Sequence, residues 1–452
     1  MSASPRALRR RFLRGGALVP AAVVAAVIGV PAATAAPAAG LATQVAMNPG
    51  VGPMALFGFD DSLPKNPDLL RQMMWVRSGK VPEAGAGDLR VATFSAGLSR
   101  SAPGLLASEL SAPGSVQAQR VAETVQRAAP DVVLLTDFDV DSGDAAAHSF
   151  RTNYLAVGTG GQEGIDYPYV YTSEVNNGVD TGADLDNDGV IGGAGDSFGP
   201  GEFAGQHGMV LFSRHPLDTE GIRTFRDLRW DTMPGNAIPD GRYTELEQSV
   251  LRLSSTAHWD IPVKVAGRTV HILAAQPVDP ASGTSAAERH HDEMRFWADY
   301  IAGDAQYLED DAGRSGGLAE GSDFVLVGDF GPHTGQGLDE DHPSAISTLV
   351  ESEAVHDPVP ESAGARAMGA DQATATRVSR VDEGLQLVRS DYVLPSAGLA
   401  TTASGVFWPA DGQLGSHLTR LTKADGTAGS AADGGTGQPA ERRLVWTDLD
   451  MD

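Results

Sequence analysis

The chain has 452 residues, with 33 Lys+Arg against 59 Asp+Glu, a formal net charge of −26 and no cysteine. Disulfide frameworks, thiolate zinc sites, iron–sulfur clusters and cysteine nucleophiles are therefore excluded, and the acidic balance works against nucleic acid, whose phosphates need clustered Lys and Arg. An apolar content of 41% is enough for a proper core, while 54 Gly and 27 Pro indicate many turns and long loops.

The N-terminus carries Arg6, Arg9, Arg10, Arg11 and Arg14, then an apolar stretch from Ala17 to Val30, then Ala33-Thr34-Ala35. A basic head, a short apolar run and a small-residue cleavage site read as a removable signal peptide over residues 1–35. Arg9-Arg10-Arg11-Phe12-Leu13-Arg14 resembles the twin-arginine export pattern, so the expected destination is outside the cytoplasm, by bacterial secretion. The run is shorter than the ~20 residues of a spanning helix, and no later segment comes close to one.

Residues 36–87 read as a mixed lead, and one large α/β domain is expected over 88–452. Asp88 to Phe94 predicts a strand, Gln117 to Ala129 a helix with Val121, Val125 and Ala128 on one face, and Val132 to Leu135 a buried strand. Strand, helix and strand make a βαβ-like opening. Further strands are expected at Gly208 to Phe212, Gln248 to Leu253, Thr269 to Ala275, Phe324 to Val327, Asp391 to Leu394 and Arg443 to Asp448. Helices are expected at Ala286 to Ala302 and Pro343 to Ser352.

Between these elements, Asp184-Leu185-Asp186-Asn187-Asp188-Gly189 places acids at positions 1, 3 and 5 with Gly at 6, as in the first half of an EF-hand loop. Position 12 is Gly195 instead of Glu, with Asp196 one further on, so a full EF-hand is excluded. The expectation is a structural calcium at Asp184, Asp186, Asp188 and Asp196, set against an acidic surface turn.

Acids also stand at strand ends: Asp137 and Asp139 after the second strand, Asp329 after Val325-Leu326-Val327-Gly328, and Asp391 at the start of Asp391-Tyr392-Val393-Leu394. The segments Val91 to Ser95, Pro130 to Asp139, Gly328-Asp329-Phe330, Arg389 to Ser396 and Arg443 to Leu449, in this order, resemble the endonuclease/exonuclease/phosphatase superfamily. Gly205 to Arg214, Ser254 to Pro262 and His290 to Ile301 strengthen the resemblance. It implies an α/β fold, a four-layer α/β/β/α sandwich with two packed mixed β-sheets (DNase I-like). It also implies cleavage of phosphate esters with one or two divalent metals, usually Mg2+.

Carried over residue by residue, the resemblance puts metal ligands at Asp137, Asp329 and Glu441, with Asp329 and Glu441 as the residual catalytic acids. Ser95 stands where the family has a metal-site Asn, Gln276 where it has the phosphate-contacting His, Gly331 where it has the Asn of Gly-Asp-Phe-Asn, and Arg442 where it has the His of Ser-Asp-His. Loss of a general base alone commonly costs ~10²–10⁴ in rate. His417 is a candidate to replace a lost His from a nearby loop, while Trp230, His258, Trp259, Asp260, Phe296 and Trp297 are explained by packing as well as by binding. The residues favour a secreted pseudoenzyme with a binding or scaffolding role, set against an active phosphatase or phosphodiesterase, with a calcium-dependent surface module as a third reading.

Overall fold

The computed structural model describes residues 78–283, 285–303, 305–332, 337–339, 342–381, 384–420 and 441–452. The signal peptide and most of the lead lie outside the described residues. Thirteen strands are described: β1 (Asp88–Leu98), β2 (Val132–Phe138), β3 (Tyr169–Tyr171), β4 (Gly208–Ser213), β5 (Arg223–Thr224), β6 (His258–Val265), β7 (Arg268–Ala275), β8 (Asp323–Asp329), β9 (Arg377–Val381), β10 (Gly384–Val388), β11 (Asp391–Pro395), β12 (Thr401–Val406) and β13 (Val445–Asp450). They form a six-stranded mixed sheet in the order β12-β13-β1-β2-β4-β3, a five-stranded mixed sheet in the order β11-β8-β7-β6-β5, and the separate hairpin β9-β10.

Side chains alternate across a strand, and this alternation builds the layers. In β1 and β2, Val91, Val132 and Leu134 face Trp259, Ile261, Val270, Val325 and Val327 of the other sheet, making the dry centre between the sheets. The intervening Ala92, Phe94, Val133 and Leu135 face outward and pack on Val121, Val125 and Ala128 of the helix Val116–Ala128. On the far side, Leu273, Ala275, Phe324 and Leu326 pack on Met294, Phe296, Trp297 and Tyr300 of the helix Ala286–Ala302. The order helix, sheet, sheet, helix is the expected four-layer sandwich, and burying each such large apolar side chain contributes about 1.5–3 kcal/mol.

The opening is as expected. β1 and β2 are parallel, Val91 opposite Val132 and Ser95 opposite Thr136, with the helix Val116–Ala128 between them in sequence. The core also extends upstream of β1, because Val81 is buried and the Pro82 carbonyl accepts from Arg90 Nη2 at 2.8 Å. Arg90 itself is buried, bidentate to Asp448 at 2.6 and 2.8 Å, and lies over Trp446.

One expected strand is corrected. The first half of Gln248 to Leu253 falls in a helix, Glu245–Val250, and only Arg252 of the rest pairs, in an isolated bridge with Arg229. The helix N-terminus is fixed by a capping box, in which the Thr244 side chain accepts from the Glu247 N–H and Glu247 reaches back to the Thr244 N–H. Two satisfied N-terminal donors outweigh a short apolar run here. The helix expected over Pro343 to Ser352 is shorter, Ala345–Val350. No described helix is long and apolar enough to cross a membrane.

Candidate functional site

The two sheets bring their loop ends together at one edge, around a pocket of about 300 Å³ lined by Ser95, Gly97, Asp137, His207, Gln276, Asp329, Arg377, Glu441 and Arg442. From the six-stranded sheet come Ser95 near the end of β1, Asp137 at the end of β2, and His207 just before β4. The five-stranded sheet supplies Gln276, immediately after β7, and Asp329, the last residue of β8. Every position named from the resemblance except Gly331 thus lines one pocket.

Asp137 sits in an irregularity of the sheet. The β2–β4 register jumps from Thr136 opposite Met209 to Phe138 opposite Gly208, leaving Asp137 unpaired with φ +52°. Such a bulge turns a side chain out of the pleat. The freed N–H of Asp137 donates to Gln276 Oε1 at 3.0 Å, so Gln276 closes the bulge from the opposite sheet. The Asp137 carboxylate meets His207 Nδ1 at 2.5 Å. His207 also has a left-handed backbone, φ +53°, and its N–H donates to Asp139 Oδ1 at 3.1 Å, while Arg100 N–H donates to Asp139 Oδ2 at 2.7 Å. Burial opposes charge on the His207 ring, but its bond to Asp137 and the charges of Asp137 and Asp139 together raise it above the usual imidazole value. For Asp139, burial prevails over its hydrogen bonds and holds the carboxyl above its usual range.

The other side of the pocket is built by β8 and β11, whose antiparallel register sets Asp391 opposite Asp329. Arg442 lies against this pair: its Nη1 is 2.5 Å from Asp329 Oδ2, 3.9 Å from Asp391 Oδ2, and donates to Ser390 Oγ at 3.1 Å. Asp391 is fully buried and accepts from the hydroxyls of Thr376 and Ser390, each at 2.8 Å. Burial, with the Asp329 charge behind it, pushes the Asp391 carboxyl up to about 7, against the pull of Arg442 and the two hydroxyls. Burial also works against the Arg442 charge, but Asp329, Asp391, Asp137 and Asp279 hold the guanidinium protonated more firmly than usual. Arg377, beside it, pairs with Asp279 at 3.1 Å.

Gly331 has a local reason. Its φ is +74°, and a Cβ there would stand 2.8 Å from His290 Nε2, which is bonded to the Phe330 carbonyl at 2.8 Å. Any side chain at 331, the amide of the family signature included, would require His290 to move. Glu441 lines the pocket, and its carbonyl accepts from Val378 N–H at 2.8 Å.

His417 is elsewhere, against Glu123 of the helix Val116–Ala128 at 3.2 Å, and does not line this pocket. His258 is a core residue: Nδ1 meets Ser254 Oγ at 2.7 Å, Nε2 meets the Glu293 carbonyl at 3.0 Å, and burial lowers its pKa to about 4. Trp230, Trp259, Phe296 and Trp297 are likewise buried in packing, and Asp260 accepts from the Tyr300 hydroxyl at 2.6 Å. The sequence alone assigns no role to His207 or Arg377, and gives Asp391 only as a strand-end acid without a place in the site. The adjacency of Gln206-His207-Gly208 to a strand that must pair with β2 is the one sequence signal that points to His207.

In the loop, the carboxylates of Asp184, Asp186 and Asp188 come within 4.8 Å of one another, the one such acidic group among the described residues. Asp196 is not part of this group. It is buried, its Oδ1 accepting from Leu185 N–H at 2.6 Å and its Oδ2 from Gly192 N–H at 2.8 Å, and so ties the loop shut.

Residues 110–416 match the model of the Endonuclease/Exonuclease/phosphatase family. Among solved structures, the chain is similar to an endonuclease/exonuclease/phosphatase from Beutenbergia cavernae (16% identity, 81% of this chain and 72% of that one, TM-score 0.45). It is also similar to a family protein from Bacteroides thetaiotaomicron (13% identity, 81% and 98%, TM-score 0.39) and to truncated TDP2 from Caenorhabditis elegans (12% identity, 80% and 97%, TM-score 0.38). No curated protein matches it. With the family's sequence pattern spanning about two thirds of its length, the chain belongs to the endonuclease/exonuclease/phosphatase family.

Proposed function

We propose that this chain is a secreted, catalytically impaired member of its family, whose pocket binds or scaffolds where its relatives cleave phosphate esters. The supporting observation is that both acids retained at the strand ends are engaged by basic side chains of the chain itself, Asp137 by His207 and Asp329 by Arg442, each at 2.5 Å. Family enzymes depend on divalent metal, and a hard cation needs several oxygens at about 2.0–2.6 Å. Asp137, Asp329 and Glu441 do not converge as a group within 4.8 Å, and Asp329 faces a guanidinium. The residues as arranged do not fit a divalent metal at this pocket.

The substitutions support the same reading. Gln276 is used to close the Asp137 bulge, a side chain at Gly331 would displace His290, and Arg442 cannot act as a general base because it stays protonated. Ser95 retains a hydroxyl in the pocket but brings no charge. The N-terminal twin-arginine-like sequence supports secretion, and the net charge of −26 disfavours nucleic acid as the bound partner. The convergence of Asp184, Asp186 and Asp188 supports a structural calcium in that loop.

The second reading, an active metal-dependent hydrolase, is favoured by one observation: the buried Asp391 Oδ1 has no hydrogen-bond partner among the described residues. Hydrolysis of p-nitrophenyl phosphate and bis-p-nitrophenyl phosphate, with Mg2+, Mn2+ or Ca2+ and an Asp329→Ala control, separates the two. Equal, negligible rates are expected, and turnover that the control abolishes would establish the hydrolase.

A further inference from the structure

We propose that the Arg442 guanidinium is a resident cation, standing at Asp329 and Asp391 in the place a divalent metal would need, and that its removal turns the pocket into a divalent-cation site. The inference rests on the impaired-site reading above and supplies its physical cause.

The register of β8 and β11 is the starting point. It fixes Asp329 opposite Asp391 on paired backbone positions, so the strand pairing itself brings two acids together. Two neighbouring carboxylates in a partly dry site repel each other unless a cation or proton intervenes. Arg442 supplies the cation, at 2.5 Å from Asp329 and 3.9 Å from Asp391.

The arginine is held there by its backbone. Arg442 forms an antiparallel bridge with Arg377, the Glu441 carbonyl accepts from Val378 N–H, and the next strand, β13, starts at Val445 between β12 and β1 of the six-stranded sheet. Only 21% of its side chain is exposed, and Ser390 Oγ accepts a further N–H at 3.1 Å. A guanidinium and a divalent metal cannot share these oxygens. The first aims N–H groups at the lone pairs that the second needs, and the two positive charges would stand within a few ångströms of each other.

The test is a Mn2+ titration of the full chain, read by the electron paramagnetic resonance of unbound Mn2+. All variants carry Asp186→Asn, so that the acidic loop does not contribute. The parent should hold no Mn2+ that depends on Asp329. Arg442→Ser should bind Mn2+ at least tenfold more tightly than the parent, Arg442→Lys should show no gain, and adding Asp329→Asn to Arg442→Ser should remove the gain. The proposal is overturned if the parent binds Mn2+ and Asp329→Asn abolishes it, or if Arg442→Ser, folded by circular dichroism, gains nothing. If Arg442→Ser does not fold, the parent with and without Asp329→Asn decides in the same terms. Phosphate-ester turnover without Asp329-dependent metal binding would sink the impaired-site reading and leave the resident cation standing; metal binding without turnover would do the reverse.

Discussion

In the pocket, Asp137 faces His207 and Asp329 faces Arg442, each across 2.5 Å, whereas in the loop at 184–188 three carboxylates face one another. Among the described residues, those loop acids are held by backbone donors: Asp188 N–H to Asp184 and Asp186, Gly189 N–H to Asp184, and Val190 N–H to Asp188, at 2.7–3.1 Å. The pocket acids sit on strands whose pairing dictates their spacing, so their charge must be compensated within the fold. The loop acids are more exposed, where water screens repulsion and little internal compensation is required. Crowded carboxylates therefore meet two fates, compensation by the chain's own cation in the pocket and room for an added cation in the loop. What distinguishes the two regions is whether the chain brings its own cation.

The sharpest way to probe that difference is at Asp391, where the pocket's compensation is least complete. Its folded pKa, about 7, is raised above the unfolded carboxylate value, so its favourable contribution is fully present below about pH 4 and is lost as pH rises through about 7. Asp391→Asn keeps an acceptor for Thr376 and Ser390 and cannot ionise. Its stability relative to wild type should climb between pH 4 and 7, reaching roughly 2–4 kcal/mol above pH 7 by urea unfolding. A flat difference across that range would mean that Arg442 fully satisfies both acids.

Next in size is Arg442→Ala, which strips the cation from Asp329 and Asp391. Removing one partner of a mostly buried pair should cost roughly 2–3 kcal/mol at pH 8, scaled down from a fully buried pair for its partial exposure, and less at pH 5. A loss that does not shrink on acidification would show that packing, not charge, holds the residue there.

His207→Gln is expected to act more weakly, because the His207 side chain is 40% exposed. Its folded pKa lies above the unfolded value of about 6.5, so its stabilisation is present below that pH and lost as pH rises through the folded value. The variant should lose about 0.5 kcal/mol at pH 6 and almost nothing at pH 9, a surface-like magnitude after screening. Equal losses at both pH values would assign His207 a packing role.

The smallest intrinsic effect belongs to the loop. Asp186→Asn should be neutral or stabilising by a few tenths of a kcal/mol without calcium, since it relieves repulsion. Millimolar calcium should raise the melting temperature of the wild type and not of the variant. No calcium response in either would leave the loop a surface turn closed by Asp196.

Much of the fold was legible as local pattern. The continuous apolar run Val132 to Leu135 was readable because a strand buried on both faces is apolar throughout, and the helix before it and the helix Ala286–Ala302 because each buries one face, which periodicity records. The span Gln248 to Leu253 departs from the expected strand because the Thr244 and Glu247 capping pair starts a helix there. In the site, Asp137, Asp329, Gln276 and Arg442 were readable as positions by their order along the chain. His207, Arg377 and the function of Gln276 were not, because each depends on a contact between segments far apart in sequence.

The sequence by itself determined the family, the two-sheet α/β class and the identities of the substituted residues, since these are carried by motif order and by hydrophobic period. Only the tertiary structure decided what the substitutions do: that Gln276 closes the Asp137 bulge, that Gly331 makes room for His290, and that Arg442 rests between two acids. The physical reason is that these are pair properties. Strand register, set by the packing of both sheets, fixes the spacing of charges that no single segment specifies.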